Sequence, residues 1–152
     1  MLLKAIDQAR NTARGLYPGD LEDTSLMIAL NELASHTSEG NCVFYCPKPV
    51  PIDDSNTATH LYRIAQEAVS NAVNHGKAKN IQIGLIQNKE EIILSIKDNG
   101  IGLSNAVQKS KGIGFKIMKY RAHMMNAIFQ IAENKPHGVQ LKCTLKKPKT
   151  NR

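Results

Sequence analysis

Tryptophan is absent from this 152-residue chain, and aromatic residues make up only 5% of it. A core must therefore be aliphatic, built from Leu, Ile, Val and Ala. No platform of aromatic rings for stacking nucleic-acid bases is available either. No apolar run approaches the roughly 20 residues that span a bilayer, and Met1–Ala5 does not have the form of a signal peptide. The chain reads as soluble and cytoplasmic, and any membrane anchor would lie in a longer parent protein. Cysteine is scarce: Cys42, Cys46 and Cys143 are an odd number with no CxxC spacing. That excludes a disulfide scaffold and a zinc site, and leaves small buried hydrophobes in a reducing compartment. Neither GxxxxGKS/T nor GxGxxG occurs, which excludes a P-loop and a Rossmann turn.

What is present fits one ordinary domain. Apolar residues are 41% and charged residues 22% of the chain, enough for a core at this length. The net charge of +7 and the tail from Lys146 to Arg152 favour anionic partners. Without a recognition motif, nucleic acid is not expected as a main ligand.

Periodicity predicts helices over 2–14, from 24 or 25 to 36, 56–74 and 113–126, and strands over 43–46, 81–87, 92–97, 128–132 and 139–146. Gly15–Gly19 breaks the first helix, and Pro47, Pro49 and Pro51 mark a loop. Asp53, Asp54 or Ser55 caps the long helix, whose buried stripe is Leu61, Ile64, Ala65, Ala68, Val69, Ala72 and Val73. In the last strand Val139, Leu141, Cys143 and Leu145 point inward and Gln140, Lys142, Thr144 and Lys146 outward. The expected fold is a two-layer α/β sandwich: a mixed, mostly antiparallel sheet with helices on one face.

Three segments carry chemistry. Glu67, Asn71 and His75 recur every four residues, so they stack along one side of the long helix, outside its apolar stripe. An amide oxygen is a hard ligand that suits Mg²⁺, and a carboxylate one turn earlier can orient water or accept a proton. Asp98 ends a strand and is followed by Gly100 and Gly102. A carboxylate there can accept a hydrogen bond from an exocyclic amine such as that of adenine, and glycines let the backbone approach a flat base. Gly112 and Gly114 open the last helix, whose N-terminal amides and dipole suit phosphate. Four of the ten glycines fall between residues 100 and 114, a clustering typical of a ligand loop. Between them Ser104, Lys109, Ser110 and Lys111 form a stretch expected to be mobile.

In this order the three segments resemble the N, G1 and G2 boxes of the ATP-binding catalytic domain of sensor histidine kinases. That domain has the fold shared by gyrase, Hsp90 and MutL ATPases (Bergerat-type). Residues 117–122, 14–18 and 26–33 resemble the nitrate-sensor-like subfamily. The resemblance implies that Asn71 coordinates Mg²⁺ and Asp98 binds the adenine amine. It implies that Gly100 and Gly102 shape the adenine pocket and that Gly112 and Gly114 hinge a lid. His75, with Lys77 or Lys79, would lie near phosphate, and Glu67 would be the base or orient water. It further implies residues 1–18 as the tail of a dimerisation helix with its linker, 19–147 as the catalytic domain and 148–152 as a basic tail.

Departures from the pattern are specific. Asn74 stands where a basic residue is frequent, and Asn126-Ala127 where two glycines are usual. The family's accepting histidine is followed by Asp or Glu. Here His36 precedes Thr, His60 Leu, His75 Gly, His123 Met and His137 Gly. The accepting histidine is therefore expected outside this chain, on a dimerisation domain that is a partner together with a response regulator. The chain alone is expected to be a monomer, or a weak dimer through residues 2–14. Two other readings remain: an anti-sigma-factor-type serine-protein kinase of the same fold, and a non-catalytic binding module.

Overall fold

The computed structural model describes residues 25–37, 40–103 and 112–149. The expected helix over 2–14, the segment 104–111 and the end of the basic tail lie outside them. Among the described residues three helices and five strands follow in the order α1 (Ser25–Ser35), β1 (Asn41–Tyr45), α2 (Ser55–Asn74), β2 (Asn80–Gln87), β3 (Glu91–Asp98), α3 (Ile113–Met124), β4 (Ile128–Glu133) and β5 (Val139–Lys146). The strands form one sheet in the order β1-β2-β3-β5-β4, with β1 parallel to β2 and every other pair antiparallel. This is the expected two-layer sandwich. Helix α2 packs over β2, β3 and β5, with α1 on its β1 side and α3 on its β4 side.

The core forms where the two periodicities face each other. Leu61, Ile64, Ala65, Ala68, Val69 and Ala72 of α2 meet Ile81, Ile83 and Leu85 of β2, Leu94 and Ile96 of β3, and Leu141, Cys143 and Leu145 of β5. Burying each large aliphatic side chain stabilises the fold by about 1.5–3 kcal/mol. Val73, expected in the stripe, is only half-buried. Of the capping candidates Asp54 acts: its Oδ1 accepts from the Asn56 amide at 3.2 Å and its Oδ2 from the Thr57 amide at 3.3 Å. Those hydrogen bonds, the Thr57 hydroxyl first, hold the Asp54 carboxyl below its ordinary range. Asn126, standing where two glycines were noted as usual, takes φ +55°. Asparagine tolerates that left-handed conformation better than most residues, so the turn into β4 is made without glycine.

Several expectations need correction. Of the cysteines only Cys143 is buried, and burial pushes its thiol up to about 12; Cys42 on β1 and Cys46 just after it are half-exposed. Thr144 is buried despite its outward register, because it lies between Ile93 and Ile128 of the flanking strands. The proline loop contributes two core residues, Val50 and Ile52. It is tied down by Gln87 Nε2 donating to the Pro49 carbonyl at 3.0 Å.

A polar contact joins α2 to α3. Arg121 Nη1 of α3 lies 3.2 Å from His60 Nδ1 of α2. A guanidinium only donates, so the imidazole accepts and must be neutral there. Burial first, then the Arg121 charge, lowers the His60 pKa against the opposing pull of Asp54. A lowered histidine pKa means that the unfolded chain takes up the proton first, so stability is full above about pH 6.5 and falls as pH drops below it. Thermal unfolding at pH 7.5 and 5.5 should show a larger loss at the lower pH for the unmodified chain than for His60→Asn. An equal loss would contradict this account.

Candidate nucleotide-binding site

Sequence places the site where α2 ends. The Asn71 carbonyl accepts from both the His75 and Gly76 amides at 2.9 Å, which closes the helix and turns the chain toward β2. Gly76 then meets the turn after β3. The Ile101 amide donates to the Gly76 carbonyl at 2.9 Å. A Cβ on Gly100 would lie 2.5 Å from that same carbonyl, so only glycine permits this approach.

Beside this junction opens a cavity of about 380 Å³. Its α2 wall is Glu67, Asn71 and His75; its floor includes Ile96, Leu141, Val139 and Met118; Asp98, Gly102, Gly112 and Gly114 complete it. All three α2 candidates thus face one space with both glycine segments. Gly100 supports the junction from behind, since it packs on Gly76 and does not line the cavity. Lys77 and Lys79 do not line it either. Lys77 has φ +50°, and the Lys79 amide is bound to Asn99 Oδ1 at 3.0 Å.

The Asp98 carboxylate is the best-defined group. It is 7% exposed. Its Oδ1 accepts from the Gly100 amide at 2.8 Å and the Val139 amide at 3.2 Å. Among the described residues no donor is directed at its second oxygen. A buried carboxylate held on one side by two amides and bare on the other is ready for a ligand donor. The Asn71 side-chain amide and the His75 ring likewise have no protein hydrogen bond among the described residues. Apolar walls with a few fixed polar groups suit a flat, amine-bearing ring.

Gly112 is the N-cap of α3, extended at φ −64°, with no side-chain cap. The first amides of α3 therefore lack that partner and border the cavity. Gly114 has a different reason to be glycine from backbone freedom: a Cβ there would collide with Glu67 Oε1. Glu67 thus lies against the first turn of α3, where a negative charge is favourable. Among the described lining residues there is no Lys or Arg.

This geometry defines a nucleotide-type site between a helix, a strand end and a second helix N-terminus. The chain belongs to the family of histidine kinase-, DNA gyrase B- and HSP90-like ATPases, whose model matches residues 56–149. It is 30% identical over 123 residues to the nitrate/nitrite sensor protein NarX of Escherichia coli, covering 74% of this chain and 21% of that protein. To the sensor protein VraS of Staphylococcus saprophyticus it is 35% identical over 94 residues, covering 60% and 27%. The chain therefore spans about a fifth to a quarter of the length of these relatives. Among solved structures, the ATP binding domain of PrrB from Mycobacterium tuberculosis superposes with a TM-score of 0.65 at 19% identity, covering 85% of this chain and 96% of that one. At that identity the likeness shows the fold.

Sequence reasoning missed the segment that holds Asp98 from the far side. Gly138 has φ +116°, and a Cβ there would overlap the Asp98 carbonyl. A glycine two residues beyond a proline, before an alternating strand, was the available signal. Gly138→Ala should therefore destabilise the chain by about 1–3 kcal/mol from backbone strain alone, whereas Gly114→Ala, which meets only a flexible carboxylate, should leave the melting temperature unchanged or higher. Equal melting temperatures for the two variants would contradict this contrast.

Proposed function

We propose that this chain is the ATP-binding catalytic part of a two-component sensor histidine kinase. It transfers the γ-phosphoryl group of ATP, with Mg²⁺, to a histidine on a dimerisation domain outside the chain. The parent protein then passes the group to an aspartate of a response regulator. The observation that carries this reading is Asp98, buried and fixed on one oxygen, with no donor to the other among the described residues, which leaves that oxygen to the adenine amine. The two sensor-protein relatives favour it over the anti-sigma-factor-type alternative.

The chain's own residues divide the work. Asp98 orients the base against Ile96, Met118 and Leu141. The α3 amides at Gly112–Gly114 receive phosphate oxygens, with His75 at the rim. The described walls carry no Lys or Arg, so among the described residues phosphate charge there is met by amides, together with a metal ion. Among the described residues no cluster of three His, Cys, Asp or Glu could hold a metal alone. That donor set fits Mg²⁺, which binds through one protein oxygen, phosphates and water; Asn71 would supply the protein oxygen. Glu67, one turn away, orients or deprotonates the attacking group in this reading. As the phosphorus–nitrogen bond to the imidazole forms, the bond to the β-phosphate oxygen breaks and ADP leaves. Catalysis of this kind is mainly positioning and charge neutralisation.

Among the described residues no helix is long and apolar enough to cross a membrane. The reading places this piece in the cytoplasm, whether or not the parent is anchored.

The test is phosphoryl transfer in trans from γ-labelled ATP to the separately produced dimerisation domain of the parent. The expected result is label that is acid-labile and base-stable, as on imidazole. Asp98→Asn should bind ATP about ten- to hundredfold more weakly, the loss expected for one hydrogen bond to a charged group. Acid-stable label on a serine would favour the anti-sigma-factor type. No nucleotide binding at all would favour a non-catalytic module.

A further inference from the structure

The loop joining β4 to β5, residues 134–138, contributes nothing to the cavity wall; the first lining residue after it is Val139. Yet it reaches the turn after β3 from behind at two points. Asn134 Nδ2 donates to the Asp98 carbonyl at 2.9 Å. His137 Nδ1 lies 3.1 Å from the Gly100 carbonyl. A carbonyl only accepts, so Nδ1 carries the hydrogen in that contact. The Val139 amide adds the bond to Asp98 Oδ1 already described. The loop holds its own shape through the Asn134 amide donating to the Gly138 carbonyl at 3.0 Å.

These bonds lie where the sheet stops supplying partners. The β3–β5 ladder ends at the pair Lys97–Gln140. Beyond it the carbonyls of Asp98 and Gly100 face loop side chains instead of strand amides. Buried backbone carbonyls need partners. The direction of the Asp98 carboxylate depends on the backbone at 98–100 and on Val139, and loop 134–138 grips that backbone.

We propose that Asn134 and His137 are positioning residues of the nucleotide site: they hold the Asp98–Gly100 backbone so that Asp98 presents its free oxygen to the base. The inference rests on the nucleotide reading of the site. Neither residue touches the cavity, so both act through Asp98. His137→Leu removes the donor, His137→Asn keeps a donor near the position of Nδ1, and Asn134→Asp replaces a donor with a charged acceptor.

The experiment combines two readouts on the whole chain. Amide hydrogen exchange of residues 98–102, without nucleotide, reports the turn. Calorimetry with Mg-ATP reports the affinity. His137→Leu should speed exchange in that segment alone and weaken Mg-ATP about three- to tenfold, the loss of one neutral hydrogen bond. Asn134→Asp should do the same or more, and His137→Asn should restore both readouts to within about twofold. Unchanged exchange and affinity in both His137→Leu and Asn134→Asp would overturn the proposal. So would faster exchange with unchanged affinity, which would mean that the turn's order does not serve the ligand. Absence of Mg-ATP binding by the unmodified chain would overturn the nucleotide reading and this inference with it, and the exchange data would show that the turn itself was intact.

Discussion

The Asp98 carboxylate is the point on which the site depends. It is buried at the end of a central strand, where an unmatched charge would be costly. Its first oxygen is satisfied by amides from the turn that follows it and from β5. The same turn accepts donors from the β4–β5 loop and donates to the end of α2. Two pieces of chain distant in sequence, the end of α2 and the loop that leads into β5, are thus tied to one short stretch, residues 98–101. The glycines at 100 and 138 follow from this crowding, since backbones that approach so closely leave no room for a side chain between them.

A second constraint is charge. The chain is strongly basic, yet the described cavity walls carry two carboxylates, Glu67 and Asp98, and one imidazole, His75. A polyphosphate entering such a space meets amides and acids before it meets lysine. On the proposed reading this gives a role to the amide of Asn71, which stands in the middle of α2 despite its modest helix propensity. It can share a hard cation without adding another negative charge. Glu67 is also kept close to the N-terminus of α3 by the missing Cβ of Gly114, so the groups on α2 and on α3 are set by one contact.

Much of this was legible in the sequence, for physical reasons. The α2 stripe and the strand alternation are local periodicities, and they predict the sandwich and its core. Glu67, Asn71 and His75 repeat every helical turn, so their meeting on one wall follows from geometry. The order of the three glycine-bearing segments supplied the resemblance. What was hidden is non-local. Val50 and Ile52 are isolated apolar residues among prolines and have no period to betray them. The grip of Asn134 and His137 on the Asp98 turn joins residues more than thirty positions apart. Lys79 looks like a phosphate ligand by proximity in sequence, but its position at the start of β2 keeps it off the cavity wall. The contact between Gly114 and Glu67 joins residues 47 positions apart and has no signal in the sequence.

The central claim is that the free oxygen of Asp98 accepts the amine of adenine. Its most direct measurement is calorimetric titration of this chain with ATP and with inosine triphosphate, which carries an oxygen in place of that amine, each with Mg²⁺. The account predicts that ATP binds and that inosine triphosphate binds at least tenfold more weakly, because two acceptors would face each other. Equal affinity for the two would contradict it, since the base would then be held without the carboxylate on which this description of the site depends.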